Sequence, residues 1–237
     1  MRFLPKSDSS TFMCFSPPVM LATLVLEFGF ATYILVTSKL RPATTLIISL
    51  LICLGIFQLA EYQVCAGAHT VPWMKLGYAA ITLLPALNLH LISIITKRPW
   101  ARYTGYVLAV VIIGYFLFST QSINTAICGG NYVLINTRGV IADTYFPLYY
   151  AVTLALALAE ILSFSVGSFG EKKTQNARSA LYWLLAGIGT FLIPTGAIYL
   201  VSPQVQAGIP SIMCGFAVFF AVILTVFVYP LCRKMKV

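Results

Sequence analysis

Six polar or ionisable side chains sit inside stretches that are otherwise apolar: Glu27, Glu61, Lys75, Asn88, His90 and Glu160. Carboxyls and an imidazole in such settings can exchange protons, hold a cation, or act as counter-ions to a bound ligand. Within residues 73–96, Lys75, Tyr78, Thr82, Ala86, His90 and Ser93 recur at three- or four-residue steps, which places them on one helix face. Tyr149, Thr153, Glu160 and Ser163 keep the same register in a later stretch. Counted at ~1.5 Å per residue from the start of each stretch, His90 lies ~25 Å deep and Glu160 ~20 Å deep. The two are therefore expected to meet, both charged together or both neutral. Glu27 falls near mid-depth, while Glu61 and Lys75 flank a tight loop and are expected to pair. Together the six predict a ligand or proton cavity. The competing reading is that they are hydrogen-bonding glue between helices, with no site.

The cysteines form a second constellation. Cys14, Cys65 and Cys128 fall on one side of the chain's apolar stretches, and Cys214 lies about one turn into the last of them. Cys53 and Cys232 lie deeper or on the other side. In an oxidising compartment Cys65 and Cys128 are predicted to bond, anchoring a long loop, with Cα atoms within ~7 Å. Alternatively, Cys65 and His69, four residues apart, could join Cys14 or Cys128 around zinc or copper. Free buried thiols are the third reading. Met13 is an alternative start, and its removal would leave Cys14 as a terminal nucleophile.

Other chemistry lacks its motifs. The chain has no HExxH, no glycine-rich phosphate loop and no GxSxG. No lysine lies within 209–231 to form a retinal Schiff base. The sequence thus names no cofactor and assigns no catalytic residue.

The elements that must position these groups are membrane spans. A mean hydropathy of +0.91, with 59% hydrophobic and only 9% charged residues, excludes a soluble globular domain. A span needs ~20 apolar residues to cross ~30 Å of hydrocarbon. Seven stretches qualify: 16–37, 44–64, 73–96, 101–120, 146–168, 180–201 and 209–231. The predicted fold is an all-α integral bundle of seven transmembrane helices, preceded by a short tail over 1–15 and followed by a basic tail over 232–237. The third span, with Pro85 among its polar residues, is expected to face the middle. The loop 121–145 carries Cys128-Gly129-Gly130 and a β-prone patch from Tyr132 to Ile135, which predicts a lid or short hairpin over the bundle mouth.

Charge sets the orientation. Eleven of the fifteen Lys and Arg residues fall in the first, third and fifth loops and the C-terminal tail; Arg2, Lys6, Lys75 and Arg138 are on the other side. This bias puts the N-terminus outside and the C-terminus in the cytoplasm of the cell (inner) membrane. The net charge of +9 is therefore matched to lipid headgroups, and no nucleic-acid partner is expected.

Met13-Cys14-Phe15-Ser16 leading into the first span, with Gln58 and Glu61 late in the second, resembles a family of small uncharacterised bacterial membrane proteins beginning Met-Cys-Phe-Ser. Residues 73–78 (Trp-Met-Lys-Leu-Gly-Tyr), then Pro85, and Ile209-Pro210 opening the last span, are similar to the seven-helix sensor module that precedes some bacterial histidine kinases. The second resemblance implies a ligand-binding or sensory module, here without its own output domain, that works through a cytoplasmic or membrane protein partner. A small-molecule or lipid ligand would fit it. The alternatives are a small transporter or channel using the buried carboxylates, and a membrane enzyme or a subunit of a larger complex.

Overall fold

A computed structural model describes residues 16–67, 70–128, 133–137, 139–167, 174–201 and 208–237. The described chain is helical apart from one hairpin. The helices are α1 (Pro17–Thr37), α2 (Pro42–Cys65), α3 (Thr70–Thr96), α4 (Trp100–Phe118), α5 (Phe146–Gly167), α6 (Gln175–Val201), α7 (Ile209–Ile223) and α8 (Tyr229–Met235). A π-helical turn, Ile141–Tyr145, leads into α5, and another, Leu224–Val228, joins α7 to α8 as one continuous rod. Six of the resulting rods are long and apolar enough to cross a membrane; the apolar part of α4, Arg102–Phe118, is shorter.

Prolines mark where helices begin. They occupy the first helical positions of α1, α2 and α7, where a missing N–H costs nothing and the fixed φ suits the helix. Two lysines mark where helices stop. Lys97 and Lys236 adopt left-handed φ values of 61° and 62°. The next N–H reaches back across the turn in each case, Arg98 to Ser93 O and Val237 to Cys232 O. Both are Schellman ends, usually built with glycine.

Burial separates an inner pair of helices from an outer ring. In the most apolar stretches of α2 and α3, 72% and 67% of residues are buried, against 50% for the α7–α8 rod, 33% for α1 and for the rod containing α5, and 28% for α6. Outward faces carry Val25, Val36, Val107, Phe118, Ile193 and Leu200, all exposed. So much apolar side chain turned outward, around a core that is already filled, is the surface of a multi-pass membrane protein. Close approaches need glycine at two crossings. A Cβ on Gly105 would sit 3.2 Å from the Ala86 Cα of α3, and one on Gly187 would sit 2.6 Å from the Phe220 ring of α7.

The hairpin pairs β1 (Ile123–Cys128) with β2 (Val133–Thr137) in antiparallel register, Cys128 opposite Val133, with an irregularity at Ile123/Thr125. Its inner face buries Ile123, Ala126, Val133 and Ile135 in the cluster that holds Val64, Met74 and Tyr78. It thus closes the bundle end formed by the C-terminus of α2 and the start of α3. Tyr132, at the edge of the patch read as β-prone, and Gly129-Gly130 lie outside the described residues.

Pro85 organises the middle of α3. Having no N–H, it leaves the Ile81 carbonyl without its helical donor, and its ring crowds that same carbonyl. Two consecutive tyrosines of α5 replace what is lost: Tyr150 donates to Ile81 O at 2.5 Å and Tyr149 to Thr82 O at 2.9 Å. The polar face of α3 is thereby joined to α5 through main-chain acceptors.

Candidate functional site

The most deeply buried acids gather where α1, α2 and α7 meet. The inward stripe of α1 is Met20, Thr23, Leu24, Glu27, Ala31 and Ile34, recurring at helical spacing, so its packing face carries Glu27 to the interior. On α2, Gln58 and Glu61 follow each other at a three-residue step and face the same junction. Glu27 is 0% exposed and Glu61 1%. They lie within electrostatic reach of one another and of the Cys214 thiol on α7.

Gln58 fixes the geometry of this junction. Its Nε2 donates to the Cys214 carbonyl at 3.0 Å, tying α2 to α7. Thr23 donates its hydroxyl hydrogen to Met20 O within its own helix, so it offers the acids only an oxygen. Ser211, one turn before Cys214, lies against the Glu61 carboxyl and accepts the Val133 backbone N–H at 3.1 Å. Among the described residues, both Glu27 carboxyl oxygens and Glu61 Oε1 are buried with no hydrogen-bond partner. A cavity of about 10 Å³, the size of one water, opens between Met20, Thr23, Gln58, Glu61, Ser211 and Gly215.

The chemistry open to such a junction is narrow. Two desolvated carboxylates within electrostatic reach of each other cannot both carry charge cheaply without a compensating cation. Their unused oxygens can hold a proton or a small dehydrated cation, and the cavity beside Glu61 excludes anything larger than water. Strand β2 touches the site through Ser211, and β1 carries Cys128, whose Cα lies 5.0 Å from that of Cys65. This is disulfide distance, and Cys65 follows Glu61 by one turn of α2. The hairpin is thus fixed at two points around the acids.

The remaining candidates lie elsewhere. The expected His90–Glu160 pair is not formed. His90 Nδ1 is 3.0 Å from the Tyr106 hydroxyl of α4, with the two rings edge-on. Glu160, 3% exposed, has its Oε2 3.8 Å from Arg98 Nη1, in the turn that ends α3. Both residues lie in the later half of their helices, but they point to different neighbours.

The expected Glu61–Lys75 pair is likewise absent. Lys75 Nζ donates to Ser119 O at 2.6 Å and Leu117 O at 3.4 Å, at the end of α4. Terminal helix carbonyls carry partial negative charge and lack intrahelical donors, which makes them natural acceptors for an ammonium. Asn88 stays on α3 with Oδ1 buried and without a partner among the described residues, outside the acid junction.

Cys14 and His69, two of the four candidate metal ligands, lie outside the described residues. Among the described residues no three His, Cys, Asp or Glu side chains converge on a point. Ser211 was not anticipated as a site residue. Its signal is faint: a hydroxyl directly after the Ile209-Pro210 helix start, on the same face as Cys214. Gln58 was visible as the companion of Glu61, but its bond to Cys214 O depends on which helix lies opposite. In comparisons with known proteins, the chain matches no family model, no curated protein and no solved structure.

Proposed function

We propose that this multi-pass membrane protein crosses the cell membrane seven times, N-terminus outside, and acts as a sensory module whose stimulus is taken up at the Glu27–Glu61 junction. One observation carries the reading: two buried carboxyls on different helices lie within electrostatic reach of each other and carry oxygens that no described group satisfies. A purely structural junction would pair those oxygens, because each unsatisfied buried polar group costs about 1–3 kcal/mol. The stimulus that fits is a proton or a small cation. Its uptake changes the charge between α1 on one side and α2 and α7 on the other, and so the favoured spacing of those helices. The basic loops opposite the hairpin are the surface from which a cytoplasmic partner would read that change.

The experiment is infrared difference spectroscopy on the purified full chain in lipid nanodiscs, stepping pH and, separately, sodium and calcium. A carboxyl band that responds in the wild type, and is lost in both Glu27→Gln and Glu61→Gln, supports the proposal. Unchanged difference spectra in both variants would overturn it. Proton flux across proteoliposomes in the same variants separates sensing from transport, since a sensor titrates without net flux.

A further inference from the structure

At the other end of α1 and α2 lies a cavity of about 520 Å³. Its walls include Thr37, Ser38, Lys39, Arg41, Thr44 and Arg233, contributed by the end of α1, the start of α2 and α8. Three cations line it and no acid does. Nothing in the carboxyl junction uses this cavity, and the inference does not rest on that reading.

Like charges converge on a cavity at a cost unless an anion offsets their repulsion. Arg41 makes the case specific. Its Nη1 is buried and has no acceptor among the described residues, an arrangement that is costly for a permanently charged guanidinium. The neighbouring hydroxyls do not accept from it, and their hydrogens are used within the last turn of α1, Thr37 donating to Tyr33 O at 2.6 Å and Ser38 to Ile34 O. Across the cavity, Thr44 belongs to the first turn of α2, whose N–H groups lack helical acceptors and add positive potential. A group with several anionic oxygens satisfies the guanidinium and the free N–H groups together. Guanidinium forks match phosphate in geometry as well as charge.

We propose that this cavity binds a phosphate-bearing anion, held by Arg41, Arg233 and Lys39. An anionic phospholipid headgroup and a free phosphate compound share that chemistry. The lipid source has a route for its tails: Val36 lines the cavity at 78% exposed, and Val25 continues the same outward side of α1 at 65%. In the proposed topology the cavity opens to the cytoplasmic leaflet, where anionic lipids are concentrated.

The test uses the full chain in detergent, observed by native mass spectrometry with phosphatidylglycerol, phosphatidylcholine or inorganic phosphate added. Arg41→Gln with Arg233→Gln removes two of the three cations. At about fivefold per basic residue near an anionic surface, this should weaken the anion adduct by about thirtyfold. Lys234→Gln with Lys236→Gln removes the same charge from the exposed end of α8 outside the cavity, and should change the adduct less than threefold. Lys39→Gln, at an exposed loop position, is the variant to read if the double arginine variant fails to fold; a drop of about fivefold is expected. Preferential retention of phosphatidylglycerol, lost in the cavity variants, supports a lipid site. Inorganic phosphate adducts lost in the same variants, without lipid preference, support a site for a soluble phosphate. Equal binding of phosphatidylglycerol and phosphatidylcholine with no phosphate adduct, or equal loss in the control pair, overturns the proposal.

Discussion

Removing the Tyr150 hydroxyl should destabilise the bundle only because Pro85 is present. In the wild type, the Tyr150 hydroxyl donates to Ile81 O at 2.5 Å, and this carbonyl has no donor from its own helix because residue 85 lacks an N–H. Tyr150→Phe therefore leaves a partly buried carbonyl unpaired, at a cost of about 1–2 kcal/mol for a bond between membrane helices. With Pro85→Ala the residue at 85 supplies its own N–H to Ile81 O, and the tyrosine hydroxyl becomes redundant. In that background Tyr150→Phe should cost no more than about 0.5 kcal/mol, so the coupling between the sites is about 1 kcal/mol.

The assay is reversible unfolding in mixed micelles of the wild type, both single variants and the double variant. Circular dichroism would confirm that α3 stays helical throughout. Tyr149→Phe, which removes the donor to Thr82 O at 2.9 Å, should show the same dependence on Pro85 with a smaller coupling, since the helical donor opposite Thr82 O is residue 86, which has its N–H, and only Ile81 O loses its donor outright. Equal cost of Tyr150→Phe in both backgrounds would refute the reasoning. The tyrosine would then be contributing packing against α3 and not a replacement for a missing donor.

Glu27→Leu should raise stability by about 1–2 kcal/mol while abolishing the titratable infrared signal, because it replaces two unpartnered buried oxygens with apolar volume; lost stability in the same unfolding assay would identify Glu27 as structural glue. Cys65 and Cys128 should be found joined by non-reducing peptide mapping, on the strength of Cα atoms 5.0 Å apart. Replacing both with serine should release the hairpin and increase maleimide labelling of Cys214, 4% exposed in the closed bundle, by at least tenfold in a chain without its other cysteines; unchanged labelling would show that the hairpin does not cover the junction. Reporter fusions at Ser122 and Val237 should report opposite sides of the membrane, as the distribution of basic residues requires, and the same side for both would end the seven-span topology.

What the sequence revealed, and what it hid, follows from the difference between position along a helix and direction around it. Hydropathy and length show where apolar helices run, and Pro17, Pro42 and Pro210 mark three of their starts. The Cys65–Cys128 approach was legible because both residues end their elements, α2 and β1, at the same end of the bundle, where little else decides which residues meet. His90 and Glu160 were expected to meet because their heights agree, yet His90 turns to Tyr106 on α4 while Glu160 reaches Arg98 beyond the end of α3. Height fixes one coordinate of a side chain in a bundle. The other depends on which helix is adjacent, and that depends on packing of the whole chain. Lys75 failed for the same reason, facing α4 while Glu61 faces α1 and α7.

The same helix pair carries both features that lack a structural explanation. α1 and α2 contribute Glu27 and Glu61 to the junction under the hairpin, and Lys39 and Arg41 to the cavity at the opposite end. α1 is the freer partner: only 33% of its most apolar stretch is buried, against 72% for α2, and its Phe28 ring is the group that a Cβ at Gly55 would meet, at 3.0 Å. A lightly held helix pivoting on that contact would move both of its ends, because a helix of 21 residues is stiff over its ~30 Å length. A change of charge at Glu27 that alters the spacing of α1 from α2 would therefore alter the separation of the cations at Val36–Thr44. Linkage then runs in both directions. An anion drawn between Lys39, Arg41 and Arg233 must change proton or cation affinity at Glu27–Glu61 by the same factor by which occupancy there changes anion affinity. On this account the hairpin restrains one end of the helix pair and the bound anion restrains the other. A proton or cation at one end and an anion at the other are then two loads on one lever.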